Sequence, residues 1–102
     1  MYKLTYIPGA KEDLFALPEN ILLEVLQYLE KFKTEPLKNS SRLNNQGGLN
    51  LDGYRKTYVA KATYRIIFKL EDGVAKIVEV VAVGKRDNKE VYITAHERIN
   101  KQ

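Results

Sequence analysis

The chain has 102 residues, enough for one domain around one hydrophobic core, and we expect residues 1–102 to form that domain. Apolar residues make up 44% of it and charged residues 29%, which excludes a disordered chain. It has no cysteine and one histidine, His96, which excludes disulfides and a structural zinc site. Its N-terminal segment lacks a signal core and its apolar runs are too short to span a bilayer, so we expect a cytoplasmic protein without a membrane partner.

The formal net charge of +4 is unevenly distributed along the chain. Residues 1–52 carry six Lys/Arg against seven Asp/Glu, whereas residues 53–102 carry eleven against six. The basic surplus therefore lies in the second half. Such a surplus is typical of a surface that binds a polyanion or an acidic protein, but it also occurs as a solvated face without a partner.

The first half predicts one strand and two helices. Tyr2 to Ile7 alternates in polarity and predicts a strand that ends at Pro8-Gly9. Ala10 to Leu17 fits two helical turns. A second helix is expected to have Pro18 in its first turn and to end before Pro36. It is predicted by apolar residues at helical spacing, namely Ile21, Leu22, Val25, Tyr28, Leu29 and Phe32.

Residues 34–53 are rich in Asn, Ser and Gly and predict a long loop. Four leucines are expected to tie it to the body of the domain, namely Leu37, Leu43, Leu49 and Leu51.

The second half predicts three antiparallel strands, over residues 54–60, 64–70 and 74–83. Glu71-Asp72-Gly73 has the Asp-Gly pair typical of a tight hairpin. The apolar run that ends at Val83 predicts an interior strand covered on both faces. Asp87 is expected to cap a last helix, with Glu90 at capping-box spacing. The residues of this helix that are expected to face inward are Val91, Tyr92, Ala95 and Ile99.

This order of elements predicts an α+β fold. In it a small antiparallel sheet is covered on one face by an N-terminal helical hairpin and is followed by a C-terminal helix. The other face is expected to be partly open and to carry the basic residues of the second half.

Two short stretches carry a family resemblance. The first is Ala-Thr-Tyr-Arg-Ile-Ile-Phe at residues 62–68, and the second is Val-Gly-Lys-Arg-Asp-Asn-Lys-Glu-Val-Tyr at residues 83–92. Together with the acidic-Gly turn between their strands, they resemble the C-terminal half of the RelE/ParE toxin family, in its RelE-type branch. The N-terminal strand and helical hairpin are similar to that family in order and length.

The resemblance implies a ribosome-dependent endoribonuclease that cuts mRNA in the decoding site, needs no cofactor or metal, and is neutralised by a cognate antitoxin. The residues it implies for catalysis are Arg65, Arg86, Tyr92 and Lys56. The cations expected to bind RNA beside them are Arg55, Lys61, Lys85 and Lys89. We expect an antitoxin to bury Arg86 or to displace the terminal helix.

The chemistry of RNA cleavage gives these residue types a physical reason. Attack by the 2′-hydroxyl requires that this group lose its proton, that the phosphorane charge be stabilised and that the 5′-oxygen gain a proton. Arg65 and Arg86 are suited to the charge, and Tyr92 to proton transfer or to stacking on a base. Two structural alternatives remain: Arg65 can extend from a half-covered sheet into solvent, and Tyr92 can be a core residue.

The chain departs from the family in one strand, where the RelE branch has two basic residues two positions apart. An ungapped count from Tyr64 places Lys56 and Tyr58 there, and a shift by one places Arg55 and Thr57. Neither register puts two cations on one face. The general base therefore stays open, with Lys56 as first candidate and Lys61 as second. A ParE-like inhibitor of DNA gyrase and a catalytically weak RNA-binding relative remain as alternative functions.

Overall fold

The computed structural model describes residues 1–44 and 48–101. Its elements in chain order are β1 (Lys3–Tyr6), α1 (Ala10–Phe15), α2 (Glu19–Phe32), β2 (Ser41–Arg42), β3 (Tyr54–Val59), β4 (Tyr64–Asp72), β5 (Lys76–Lys85) and α3 (Glu90–Asn100). The strands form one sheet in the order β1-β5-β4-β3-β2. The predicted α+β class, with its N-terminal helices and C-terminal helix, is confirmed.

The sheet is mixed, whereas the sequence predicted an antiparallel one. Strands β2 to β5 pair antiparallel, but β1 runs parallel to β5. Consecutive strands joined by short turns have to reverse direction. β1 is separated from β5 by both helices and three strands, so no hairpin fixes its direction.

The helices lie on both faces of the sheet. Phe32 of α2 packs on Phe68 of β4, with ring centroids 4.6 Å apart. Arg65, three residues before Phe68, points to the opposite face because strand side chains alternate, and there it contacts Tyr92 of α3. The face that carries Arg65 is therefore open only where α3 leaves it uncovered.

The second helix forms as its periodicity predicts. The helix buries Val25, Leu29 and Phe32 on one side, and Pro18 stands immediately before it rather than in its first turn. In the part of the chain that the structure describes, no helix is long and apolar enough to cross a membrane.

The prediction of an interior β5 is confirmed, because its residues 80–83 are all buried and β1 and β4 flank it. The hairpin before it differs from the expected tight turn. β4 continues through Glu71 and Asp72, and residues 73–75 make the connection. Asp72 and Lys76 are paired in register and their charged groups lie 3.8 Å apart, so the ladder reaches the first residue of the Asp-Gly pair.

The predicted loop over residues 34–53 contains the short strand β2, and its residues 45–47 lie outside the described part of the chain. Leu43 and Leu51 are buried and Leu49 is partly buried, as expected. Leu37 is 53% exposed, so its predicted anchoring role is wrong. It lies on the outside of a turn that closes when Ser40 donates hydrogen bonds to the carbonyl groups of Pro36 and Leu37.

The start of α3 also differs from the prediction. Asp87 makes no side-chain cap and instead begins a 3₁₀ turn over residues 87–89. Asn88 and Lys89 have left-handed backbones, with φ of 54° and 58°, so a regular helix cannot begin before Glu90. The capping box between Asp87 and Glu90 is therefore absent, although Val91, Tyr92 and Ala95 face inward as predicted.

Candidate active site

A cleft of about 480 Å³ lies where β4, the end of β5 and the start of α3 meet. Arg65 extends into it from β4, and Arg86 follows directly after β5. The residues that line the cleft are Arg65, Arg86, Asp87, Asn88, Lys89 and Tyr92. The structure therefore brings together three of the four residues predicted for catalysis and one of those predicted for RNA binding.

Arg65 is held between two aromatic rings. Its guanidinium carbon lies 4.3 Å from the ring centroid of Tyr58 and 5.5 Å from that of Tyr92. A terminal guanidinium nitrogen donates a hydrogen bond to the Tyr92 hydroxyl, and Nε has no hydrogen-bond partner among residues 1–44 and 48–101. A planar guanidinium stacks well on aromatic faces, so the two tyrosines fix this cation at the cleft instead of leaving it free in solvent.

Tyr92 forms the wall of the cleft. Its side chain is 2% exposed, as the core alternative for this residue requires, and its hydroxyl accepts the hydrogen bond from Arg65. In this arrangement the ring offers no free face to a nucleobase. What Tyr92 does here is orient the Arg65 guanidinium.

Lys56 and Tyr58 extend the basic face beyond the cleft. Tyr58 is paired with Arg65 across the two strands, and Lys56 lies two residues earlier on the same face. The Lys56 ammonium is 5.1 Å from the centroid of the Tyr58 ring. This ammonium is the main cause that lowers the pKa of Tyr58, burial opposes it, and the charges of Arg65 and Arg86 lower the pKa further.

Tyr58 was not among the predicted site residues. The ungapped count from Tyr64 places it two residues after Lys56, at a position where the family pattern has a cation. The signal that could have found it combines Lys56, two residues away in the sequence, with the pairing of β3 and β4. A tyrosine two residues from a lysine on one strand, and facing an arginine on the next, lies among positive charges.

Three other predicted cations lie outside the cleft. Arg55 points to the opposite face, where its guanidinium donates to the hydroxyl of Ser40 at 2.7 Å and to its carbonyl at 3.1 Å. Burial lowers the pKa of Arg55, and the nearby charge of Arg42 adds to this. Lys85 is paired with Tyr64 and so faces away from Arg65, and Lys61 is exposed in the turn after β3. The expectation that the basic residues share one face is wrong for Arg55 and Lys85, because strand alternation divides them from Arg65.

Two turns with left-handed backbone lie next in sequence to the strand ends that carry Arg65 and Arg86. Ala60, Lys61 and Ala62, in the turn between β3 and β4, have φ of 52°, 54° and 69°. This conformation costs non-glycine residues about 1–2 kcal/mol each. The turn is followed by Thr63, whose carbonyl accepts a 3.0 Å hydrogen bond from the Arg86 N–H. The strained turn and the left-handed pair Asn88-Lys89 thus fix the backbone that carries Arg86.

The cleft is lined by three cations, one phenol, one amide and a single carboxylate, Asp87. Within residues 1–44 and 48–101, no group of three or more His, Cys, Asp or Glu side chains is placed to hold a metal ion. His96 lies on α3, where Asn100 donates a 2.9 Å hydrogen bond to its carbonyl, and it is not among the residues that line the cleft.

No protein-family model matches this chain. No curated protein sequence matches it either. Solved structures do. The chain has the fold of the RelE toxins: it superposes on the RelBE2 toxin–antitoxin complex of Mycobacterium tuberculosis with a TM-score of 0.65 and 26% identity, covering 83% of this chain and 98% of that one.

A mutant of Escherichia coli RelE in the free state, with two arginines replaced by alanine, gives a TM-score of 0.69 at 24% identity over 96% of this chain and 97% of that one. The YoeB/ParE toxin of Agrobacterium tumefaciens gives 0.65 at 15% identity over 82% and 98%. The resemblance to the RelE/ParE toxin family that the sequence predicted is thereby confirmed, and the fold is that of type II toxin–antitoxin toxins.

Proposed function

We propose that this protein is the toxin of a type II toxin–antitoxin system and a ribosome-dependent endoribonuclease, which cleaves mRNA by attack of a 2′-hydroxyl on the adjacent phosphate. The observation that carries this proposal is the meeting of Arg65 and Arg86 in one cleft. Arg65 lies on β4 and Arg86 directly follows β5, and both lie on the face of the sheet that Phe32 and α2 leave uncovered.

Two guanidinium groups suit a phosphate whose charge grows during the reaction. A guanidinium can hold two phosphate oxygens at once, which an ammonium cannot do. Arg65 is already oriented by Tyr58 and Tyr92, so it needs little reorganisation when the phosphorane forms. Arg86 is exposed and forms no ion pair among the described residues, so its guanidinium is available to a phosphate.

The composition of the cleft supports a dependence on the ribosome. Arginine is protonated at neutral pH and offers no lone pair for proton transfer, so most of the catalytic power has to come from charge stabilisation and from a substrate held in an attack geometry. The ribosome supplies such a held mRNA. A cytoplasmic toxin of this kind needs a cognate antitoxin, and the M. tuberculosis neighbour was solved as a toxin–antitoxin complex.

Primer extension on mRNA in a translating extract tests the proposal. With the protein present we expect new 3′ ends within the translated region, and with naked mRNA few or none. Equal cleavage of free and ribosome-bound RNA would show that the reaction does not depend on the ribosome. If neither RNA is cut and supercoiling by DNA gyrase stops instead, the protein is a ParE-like inhibitor.

A further inference from the structure

Tyr58 differs from the other tyrosine of the site in being accessible. It is 47% exposed, whereas Tyr92 is 2% exposed and its hydroxyl is already bound to Arg65. The Tyr58 side chain lies on the same face as the cleft because its strand position is paired with Arg65. A substrate held against Arg65 therefore meets the phenol of Tyr58 on the β3 side.

The surroundings of Tyr58 favour its phenolate form. The Arg65 guanidinium stacks on the ring at 4.3 Å and the Lys56 ammonium lies 5.1 Å from the ring centroid. Arg86 adds a third positive charge, and all three cations act on Tyr58 in the same direction. The carboxylate that lines the cleft is Asp87, and it is not among the groups that shift this pKa. Opposite charges nearby stabilise an anion, which here is the phenolate.

Lys56 is less suited to accept a proton than Tyr58. Each group accepts a proton only in its deprotonated form, and the cations around Tyr58 favour that form, the phenolate. With its ammonium 5.1 Å from the centroid of the Tyr58 ring, Lys56 stabilises the phenolate, and the two residues act as a pair. This assigns one function to the two positions at which the RelE-type branch has basic residues, Lys56 and the departing Tyr58.

We propose that Tyr58 is the general base of the cleavage reaction, a role that rests on the endoribonuclease function proposed above. The phenolate oxygen takes the proton of the 2′-hydroxyl while the 2′-oxygen forms a bond to phosphorus. Arg65 and Arg86 bind the phosphorane oxygens. The bond from phosphorus to the 5′-oxygen then breaks, and that oxygen takes a proton from water. The products are a 2′,3′-cyclic phosphate and a 5′-hydroxyl end.

Two substitutions distinguish the contribution of the Tyr58 hydroxyl to the cleavage rate from the contribution of its ring. Tyr58→Phe keeps the ring beneath Arg65 and removes only the oxygen, whereas Tyr58→Leu removes both. In single-turnover cleavage on programmed ribosomes we expect both variants to be slower than wild type by about 10²–10³-fold, within the range of general base catalysis. Tyr6→Phe is the matched control, since Tyr6 also lies beneath a cation, Lys11, but on β1 at the far edge of the sheet. Melting curves check that all variants fold.

The pH dependence gives a second readout that a merely structural role would not change. The wild-type rate should rise with pH as Tyr58 ionises, and this rise should be missing in Tyr58→Phe. Ultraviolet difference titration should show one tyrosine that ionises below the ordinary value of 10.0, and it should be lost in Tyr58→Phe.

The outcomes are distinguishable. If Tyr58→Phe cleaves at the wild-type rate and Tyr58→Leu does not, the ring stacks on the substrate and the general-base assignment is wrong. If both variants match wild type, Tyr58 takes no part. If wild-type protein cleaves no RNA on ribosomes, the endoribonuclease function itself fails, and the assignment of Tyr58 fails with it.

Discussion

Asp13 on α1 and Arg98 on α3 form an ion pair through two hydrogen bonds, of 2.7 and 2.9 Å. The same carboxylate accepts a 2.9 Å bond from the Val83 N–H, and the guanidinium donates a 2.9 Å bond to the Val81 carbonyl. β1 ends opposite Val80, so these two side chains satisfy the backbone of β5 where the neighbouring strand stops. The pair joins α1 and α3 to β5 and keeps α3, with Tyr92, in place.

Replacing Asp13 by alanine removes only a carboxylate, but it should destabilise the protein strongly. Asp13→Ala leaves the Val83 N–H and the Arg98 guanidinium without their acceptor in a site where both charged side chains are about 80% buried. We expect the free energy of unfolding to fall by about 2–4 kcal/mol, measured by urea denaturation. Glu12→Ala, an exposed change on the same helix, should cost about 0.5 kcal/mol or less. Equal small losses in both variants would show that the pair does not hold α3.

Gly9 is tied to the same ion pair. Its φ is 96°, and a Cβ at this position would lie 2.9 Å from the guanidinium carbon of Arg98. Gly9→Ala should therefore destabilise the protein by about 2 kcal/mol, through backbone strain and displacement of the guanidinium. Gly73→Ala, with open space around its Cβ and no positive φ, is the control. In the Asp13→Ala background the cost of Gly9→Ala should shrink, since the guanidinium is already free to move; full additivity would argue against the link.

A glycine in the left-handed turn before β4 should stabilise the protein. Ala62 has φ of 69°, which glycine adopts without strain, so Ala62→Gly should raise the free energy of unfolding by about 1 kcal/mol. Ala16→Gly is a matched change at ordinary helical φ, −84°, and should lower it by about 0.5–1 kcal/mol. Chemical denaturation of the two variants compares them directly, and a loss of stability in Ala62→Gly would show that this turn carries no strain.

Tyr2 links β1 to the β4–β5 hairpin in a pH-dependent way. Its hydroxyl donates a 2.7 Å hydrogen bond to Asp72, and this bond is the main cause that raises the pKa of Tyr2 above 10.0. The folded state then favours the neutral phenol, so the stabilisation is complete below pH 10 and is lost as the pH rises through the raised pKa. Urea denaturation across this alkaline range should show a steeper loss in wild type than in Tyr2→Phe. Identical pH profiles would contradict this linkage.

The sequence predicted best what depends on local spacing. The apolar residues of α2 recur at helical spacing, and those before Val83 form a continuous run. Each pattern identifies its element because it extends over neighbouring residues in the sequence. Arg65, Arg86 and Tyr92 were selected through a resemblance, and the structure brings them into one cleft. The Asp13–Arg98 pair joins residues 85 positions apart, and no local pattern in the sequence points to it.

Other features depended on backbone conformations that side-chain patterns do not encode. Asp87 has the identity and spacing of a cap, yet the left-handed Asn88 and Lys89 delay the helix to Glu90. Tyr58 does not fit the family pattern, which has a cation at its position. Its pairing with Arg65 becomes visible only once the register of β3 and β4 is known.

Single-turnover cleavage of mRNA on programmed ribosomes by Arg86→Ala tests most directly whether the cleft is the active site. Arg86 is exposed where β5 ends, so its removal should lower the rate by about 10²–10³-fold while folding changes by about 0.5 kcal/mol or less. Arg86→Lys should recover only part of the rate, and Arg42→Ala, an exposed change on β2, should cleave like wild type. An Arg86→Ala protein that melts normally and cleaves at the wild-type rate would place the chemistry elsewhere.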